Sequence, residues 1–250
     1  RQLLRTAKSI QGGVLVRKRG SWHVYLWCEH DDPPVTNPNG FLGVDFGIVN
    51  IATDSDGEVY SGKHLNSVRH RYRRLRQKLQ KKGTKSAKRL LKKLSGKERR
   101  FANDVNHCVS KCIVVKAQRT GRGIALEDLR GIRERVRLRK PQRATLHSWA
   151  FHDLAQKILY KAERAGVPVV FVDPRNTSRE CPACGHTDKA NRPTQALFRC
   201  VVCGYSGLAD HFAAVNIGRR AAVIQPNAGA WNAAHGYHAT CKPRTSVRGR

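Results

Sequence analysis

Two hydrophobic rhythms alternate along the chain. Short apolar runs bounded by Gly, Pro and Asp predict strands at Gly13–Val16, Trp22–Trp27, Phe41–Thr53, Gly123–Leu129 and Val167–Asp173. The basic stretch Arg17-Lys18-Arg19-Gly20 turns the first into the second, and Asp54-Ser55-Asp56-Gly57 predicts a hairpin turn whose return strand begins at Glu58-Val59-Tyr60. The second rhythm is helical. Leu75, Leu79, Leu90, Leu91 and Leu94 predict two helices broken at Gly83-Thr84, the second continuing through Val105, Val109 and Ile113 to Gln118. An amphipathic helix follows from Leu146 to Arg164, with Leu146, Trp149, Ala150, Leu154, Ile158 and Leu159 inward, Gly166 as its end and Pro168 as a stop. A last helix opens near Asp210 and runs to about Ile224, and the segment 131–141 reads as a basic loop. The tail from Gln225 has no periodicity and reads as disordered.

Three carboxylates interrupt this pattern. Asp45 sits inside an apolar strand, Glu127 ends another, and Asp210 opens the last helix. A charged group in a strand fit for a core is costly unless something compensates it. Asp45 is therefore either a metal ligand or a strand-edge Asp hydrogen-bonded to a turn. The order strand–hairpin–strand, helices, strand, helix, strand, helix fits an α/β, ribonuclease H-like mixed sheet. In that fold the Asp45 and Glu127 strands lie side by side. Two carboxylates about 4 Å apart repel by roughly 4 kcal/mol at an effective dielectric of 20. Three of them converging imply a divalent cation, and oxygen ligands select Mg²⁺ or Mn²⁺.

Charge changes the picture most. The 250 residues carry 48 Lys or Arg against 18 Asp or Glu, a net +30 that calls for a polyanionic partner, DNA or RNA. Between Asn66 and Arg100 there are sixteen basic residues and one acid, Glu98. Such a run on two helices repels itself at i, i+3 and i+4 unless phosphates offset it. The nucleic-acid-binding candidates are Arg69, Arg71, Arg73, Arg74, Arg76, Lys78, Lys81, Lys82, Lys88, Arg89, Lys92, Lys93, Arg99 and Arg100. No apolar run approaches the roughly 20 residues of a membrane span. With no signal peptide at its start, the chain reads as cytoplasmic and nucleoid-associated, with reduced thiols. It contains no methionine, so Arg1 is not a translation start and an N-terminal part is expected beyond it.

The cysteines carry the sharpest motif. Cys181-Pro182-Ala183-Cys184-Gly185 and Cys200-Val201-Val202-Cys203-Gly204 are two knuckles with fifteen residues between Cys184 and Cys200. That spacing reads as structural zinc, with four thiolates in a closed tetrahedral shell. A pair of disulfides or one redox CxxC are the plainer alternatives, and two matched knuckles with glycines disfavour both. Cys108 and Cys112, one turn apart beside His107, are half a metal site or, better, buried core thiols among Val105, Val109 and Ile113. Cys28 reads as a buried small side chain, and His235, His238 and Cys241 as an adventitious set without function.

The combination GVDFG, ALEDL, TSRECPACG with FRCVVCG, and ADHFAAVNI resembles the TnpB (OrfB) family of transposon-encoded proteins, relatives of the type V CRISPR effectors. The likeness covers about Gly13 to Ala221. It implies a RuvC-like nuclease domain over 36–178 with a basic helical hairpin at 66–118, a zinc ribbon over 179–207 and a last nuclease helix over 208–224. Residues 1–35 are then a remnant of a wedge-like β domain, and 225–250 a disordered tail. The resemblance further implies Asp45, Glu127 and Asp210 as catalytic acids, zinc on Cys181, Cys184, Cys200 and Cys203, and RNA-guided DNA cleavage with a guide from the element. Phe212 departs from the family pattern, which places Asn two residues after the last acid; Phe cannot supply amide hydrogen bonds. A dead or partial copy that only binds nucleic acid is the alternative. A zinc-ribbon transcription regulator leaves Asp45 and Glu127 unexplained.

Overall fold

Strands β1 (Ser9–Lys18) and β2 (Ser21–Glu29) pair antiparallel, Lys18 opposite Ser21, with Gly20 at φ 86 in the turn. Leu15, Trp22, Val24 and Trp27 are all exposed, so alternation here builds a hairpin with no core of its own. Cys28 is only half-buried, against the expectation of burial. The computed structural model describes residues 4, 7–18, 20–31, 33–130 and 151–224. The basic loop 131–141, the expected helical residues Leu146, Trp149 and Ala150, and the tail with His235, His238 and Cys241 lie outside them. The chain divides into two compact units at Pro34 and Val35.

The second unit is built on a five-stranded mixed sheet. Strands β3 (Phe41–Phe46), β4 (Asn50–Asp54), β5 (Val59–Ser61), β6 (Gly123–Glu127) and β7 (Val169–Val172) lie in the order β5-β4-β3-β6-β7. β3, β6 and β7 run parallel, and β4 and β5 are antiparallel additions. Period-2 alternation sorts the sheet's two faces. Leu42, Val44, Phe46, Ile124, Leu126, Val169 and Phe171 join the main core with helices α3 (Lys97–Arg119) and α4 (Phe151–Arg164). Phe41, Ala125, Val170 and Val172 face Ile217 and Ala221 of α5 (Ala209–Ile224) on the other side. α5 packs hard against β3. A Cβ on Gly43 would come within 1.9 Å of the Ala214 carbonyl oxygen, so only glycine permits this approach.

Two expectations about the helices change. α1 (Lys63–Lys82) ends at Gly83, as the break predicts, but α2 (Lys85–Leu94) also stops, at Ser95 and Gly96, where Gly96 takes φ 74. The basic hairpin is thus three helices rather than two. Cys108 and Cys112 are exposed, which overturns the core-thiol reading. The buried stripe of α3 runs through Ala102, Asn106, Val109, Ile113 and Ala117, and the helical phase turns both thiols away from it. Asp54, by contrast, is fully buried in the turn, bonded to the backbone N–H groups of Asp56 and Glu58 and to Lys116 Nζ at 2.6 Å.

Candidate functional site

The sheet register brings Asp45 and Glu127 together. Val44 pairs with Leu126 in the parallel β3–β6 ladder, so Asp45 and Glu127 stand one step further on, on the α5 face and at the carboxyl ends of both strands. Neighbouring strands are about 4.8 Å apart. Because α5 runs back along β3, with Ile217 near Phe41 and Ala214 against Gly43, its first turn carries Asp210 to the same end.

The electrostatics record this convergence. Asp45 is held well above the usual carboxylate range by burial first, then by the negative charges of Glu127 and Asp210, with Arg192 opposing. Glu127 is also pushed up by burial, while a hydrogen bond from Thr177 and the charges of Arg220 and Arg192 pull the other way. The buried Thr177 hydroxyl reaches Glu127 Oε1 at 2.5 Å. Asn216 on α5 ties this segment down, its amide donating to the carbonyls of Thr177 at 2.9 Å and Glu180 at 2.8 Å. Asp210 accepts from Asn50 Nδ2 at 3.2 Å on Oδ2 and from Arg192 Nη2 at 3.3 Å on Oδ1. Arg192 is itself held by the Gln195 carbonyl at 2.6 Å.

These surroundings suit a hard cation. Carboxylates that repel one another gain most from a divalent ion, and oxygen donors are what Mg²⁺ and Mn²⁺ take. Thr53, directly across the ladder from Asp45, has a buried hydroxyl with no hydrogen-bond partner among the described residues. The trio is nevertheless open. Among the described residues, only the four cysteines form a group whose ligand atoms all lie within 4.8 Å of one another.

That second group is closed. Cys181 and Cys203 sulfurs are 3.6 Å apart, as are those of Cys184 and Cys200. A disulfide needs about 2.05 Å, whereas a tetrahedron with Zn–S of 2.3 Å has edges of about 3.8 Å. The Cys203 amide donates to Cys200 Sγ, and backbone hydrogen bonding leads the causes that lower the Cys200 thiol to about 6. At Cys184 and Cys203 a backbone hydrogen bond pulls the same way, but desolvation and the neighbouring sulfurs push both thiols up. The knuckles carry β8 (Leu197–Arg199) and β9 (Ser206–Leu208) and are joined by Asn191, whose fully buried amide donates to the carbonyls of Arg179 and His186 and accepts from Val201.

Phe212, where the family pattern has an amide, is part of this ribbon. It packs with Cys181, Phe198, Cys200 and Ala209, stacks on Tyr205 at 4.9 Å and meets Phe198 edge-on at 5.3 Å. Thr177, Arg192 and Asn50 all escape a reading of the sequence. Thr177 lies inside the TSRECPACG motif, and Arg192 inside the knuckle loop, but neither residue type signals a carboxylate partner across the chain.

Of the basic candidates, Arg71, Arg73, Arg74, Lys78, Lys81, Lys82, Lys88, Arg89, Lys92, Lys93, Arg99 and Arg100 are exposed, whereas Arg69 and Arg76 are half-buried. Arg76 is a strut, paired with Glu98 at 2.6 Å between α1 and α3. An open groove of about 550 Å³ on α1 is lined by His70, Arg73, Arg74 and Gln77.

Known proteins are similar to this chain in sequence and in fold. A family described as "Probable transposase" (OrfB_IS605) matches residues 25–130, and one described as "Cas12f1-like, TNB domain" matches 151–217. The CRISPR-associated endodeoxyribonuclease Cas12f1 of Sulfoacidibacillus thermotolerans is 43% identical over 128 residues, 51% of this chain and 29% of that protein. TnpB-like protein MJ0751 of Methanocaldococcus jannaschii is 34% identical over 184 residues, 68% of this chain and 66% of that protein. This chain is a TnpB- and Cas12f-related protein. Its fold matches that of Cas12f1 in a complex with sgRNA and target DNA, with a TM-score of 0.54 at 19% identity over 82% of this chain and 55% of that one. The TnpB- and Cas12f-related chain thus spans less than a third of the first of these relatives. Among its described residues, no helix is long and apolar enough to cross a membrane.

Proposed function

We propose that this protein is the nuclease portion of an RNA-guided, divalent-metal-dependent DNA endonuclease of a transposable element, with Asp45, Glu127 and Asp210 holding Mg²⁺ or Mn²⁺. The observation that carries this reading is that Asp45 is buried beside the negative charges of Glu127 and Asp210 at one end of the sheet, in a chain of net charge +30. Bound there, the metal activates water and stabilises the leaving oxygen of a phosphodiester. The chain's own residues prepare the site. Thr177 orients Glu127, the helix start places Asp210 where negative charge is favoured, and Arg192 supplies a cation beside both acids. The exposed arginines and lysines of α1 and α2 hold the sugar-phosphate backbone of DNA or of a guide RNA. Zinc on the four cysteines is structural, since its shell leaves no open position. The kinship with proteins named endodeoxyribonucleases supports the reaction class.

The test is cleavage of single-stranded DNA in Mg²⁺ or Mn²⁺ by this chain beside Asp45→Ala. Removing several kcal/mol of charge stabilisation should lower the rate by on the order of 10³-fold while DNA binding is retained. Equal cleavage by both proteins would remove Asp45 from the chemistry, and salt-sensitive binding with no cleavage by either would support a binding-only protein.

A further inference from the structure

The family pattern expects an amide two residues beyond Asp210, and Phe212 cannot provide one. Yet Asp210 is not short of an amide. Asn50, half-buried at the first residue of β4, donates its Nδ2 to Asp210 Oδ2 at 3.2 Å, across 160 residues of sequence. Gly47 and Gly62 shape the turn that presents it: a Cβ on Gly47 would sit 2.7 Å from the Asn50 carbonyl oxygen, and one on Gly62 2.5 Å from that of Val49. The other carboxylate oxygen faces Arg192, so Asp210 is gripped from the sheet on one side and from the ribbon on the other.

Phe212, meanwhile, has no room to be an amide donor. It is 6% exposed, and a Cβ on Gly207 would come within 2.6 Å of its ring, so the ribbon backbone closes directly over it. We propose that Asn50 is the positioning residue for Asp210 in this chain, and that Phe212 is the anchor of the zinc ribbon rather than a lesion in the site. Asn50 holds one oxygen of Asp210 by a single N–H while Arg192 holds the other, so a cation meets a fixed rather than a rotating ligand. The inference rests on the metal reading of the three acids.

Mn²⁺ alone is the probe, followed by electron paramagnetic resonance, with zinc content and thermal unfolding as checks on folding. Asn50→Ala should bind Mn²⁺ at least about 10-fold more weakly, the scale of removing outer-shell partners of metal ligands. Its zinc content and Tm should stay close to the parent's, and Asn50→Gln should recover part of the affinity. Phe212→Asn should lower Tm and zinc retention without tightening Mn²⁺ binding. Parent-like Mn²⁺ affinity in Asn50→Ala, or tighter Mn²⁺ in Phe212→Asn, would overturn the assignment. A separate readout needs no divalent metal. The Asn50 side-chain amide resonances in Mg²⁺- and Mn²⁺-free buffer should shift in Asp210→Ala, and unmoved resonances would overturn the contact itself. Shifted resonances with no Asp45-dependent Mn²⁺ binding in the parent would uphold the contact while sinking the metal reading.

Discussion

Two sets of candidate metal-ligating side chains sit at opposite extremes within one unit. The four cysteines come from two five-residue knuckles, and their sulfurs already stand at tetrahedral spacing. The three carboxylates come from two strand ends and a helix start, and Asp45 lies buried beside the negative charges of the other two. The difference teaches how each site is made. A Cys-x-x-Cys turn brings two sulfurs together locally, and on the zinc reading the ribbon's order depends on its ion. Each carboxylate is placed by packing that exists without any ion, and on the proposed reading a cation would offset the burial and like charges that raise Asp45.

The largest way to break the comparison is at the ribbon. Structural zinc is worth on the order of 10 kcal/mol of folding free energy. Cys184→Ser, or chelation of zinc, should therefore unfold residues 179–207, strip the ribbon from Phe212 and Arg192 from Asp210, and abolish cleavage with the acids intact. Hydrogen exchange of the ribbon amides checks this, and protection that survives chelation would contradict it. The next effect tests the preformed half. Gly43→Ala puts a Cβ into the Ala214 carbonyl, so α5 must shift; overpacking of this kind costs about 1–3 kcal/mol. Tm should fall and cleavage should fall further, because Asp210 moves with the helix, while zinc content stays at the parent value.

A smaller effect sharpens the strain itself. Asp45 and Glu127 ionise at higher pH in the folded chain than in the unfolded one. From about pH 4, where the unfolded acids lose their protons, up to the folded values, the native state binds more protons, so stability falls as pH rises. In buffer free of Mg²⁺ and Mn²⁺, Asp45→Asn should flatten this decline and raise the neutral-pH Tm by a few degrees, about 1 kcal/mol in a chain of this size. Added Mn²⁺ should reverse the order of the two proteins. A Tm below the parent's at neutral pH without metal would show that Asp45 is stabilising there.

The smallest expected change lies on the basic helices. Reversing Arg73 and Arg74, exposed on α1, should reduce the salt dependence of DNA binding by about 0.9 for each phosphate no longer neutralised. Arg76→Gln should leave the slope alone and lower Tm slightly, since Arg76 is engaged by Glu98. A slope that moves equally in both would put Arg76 at the interface.

Local chemistry was legible in the residues themselves. The knuckles, the Gly83 break and the turn at Asp54–Gly57 all depend on interactions within a few positions, as does the opening of α5. So most of the element order and the mixed α/β sheet could be read from periodicity, and the net charge pointed to a polyanion. The run 41–53, read as one strand, is instead β3 and β4 folded back antiparallel through residues 47–49, because an unbroken apolar run carries no mark of a tight turn. What the sequence could not decide is whatever depends on helical phase and long-range register. Cys108 and Cys112 share their neighbourhood with Val105, Val109 and Ile113, yet a rotation of α3 about its axis sends them to solvent. Thr177, Arg192 and Asn50 carry no motif, and they matter only because the β3–β6 ladder and the Gly43–Ala214 approach bring residues 45, 127 and 210 to one end of the sheet. A hydrogen bond between residues 160 apart has no local trace, because its geometry is set by the backbone packing of elements that stand far apart along the chain.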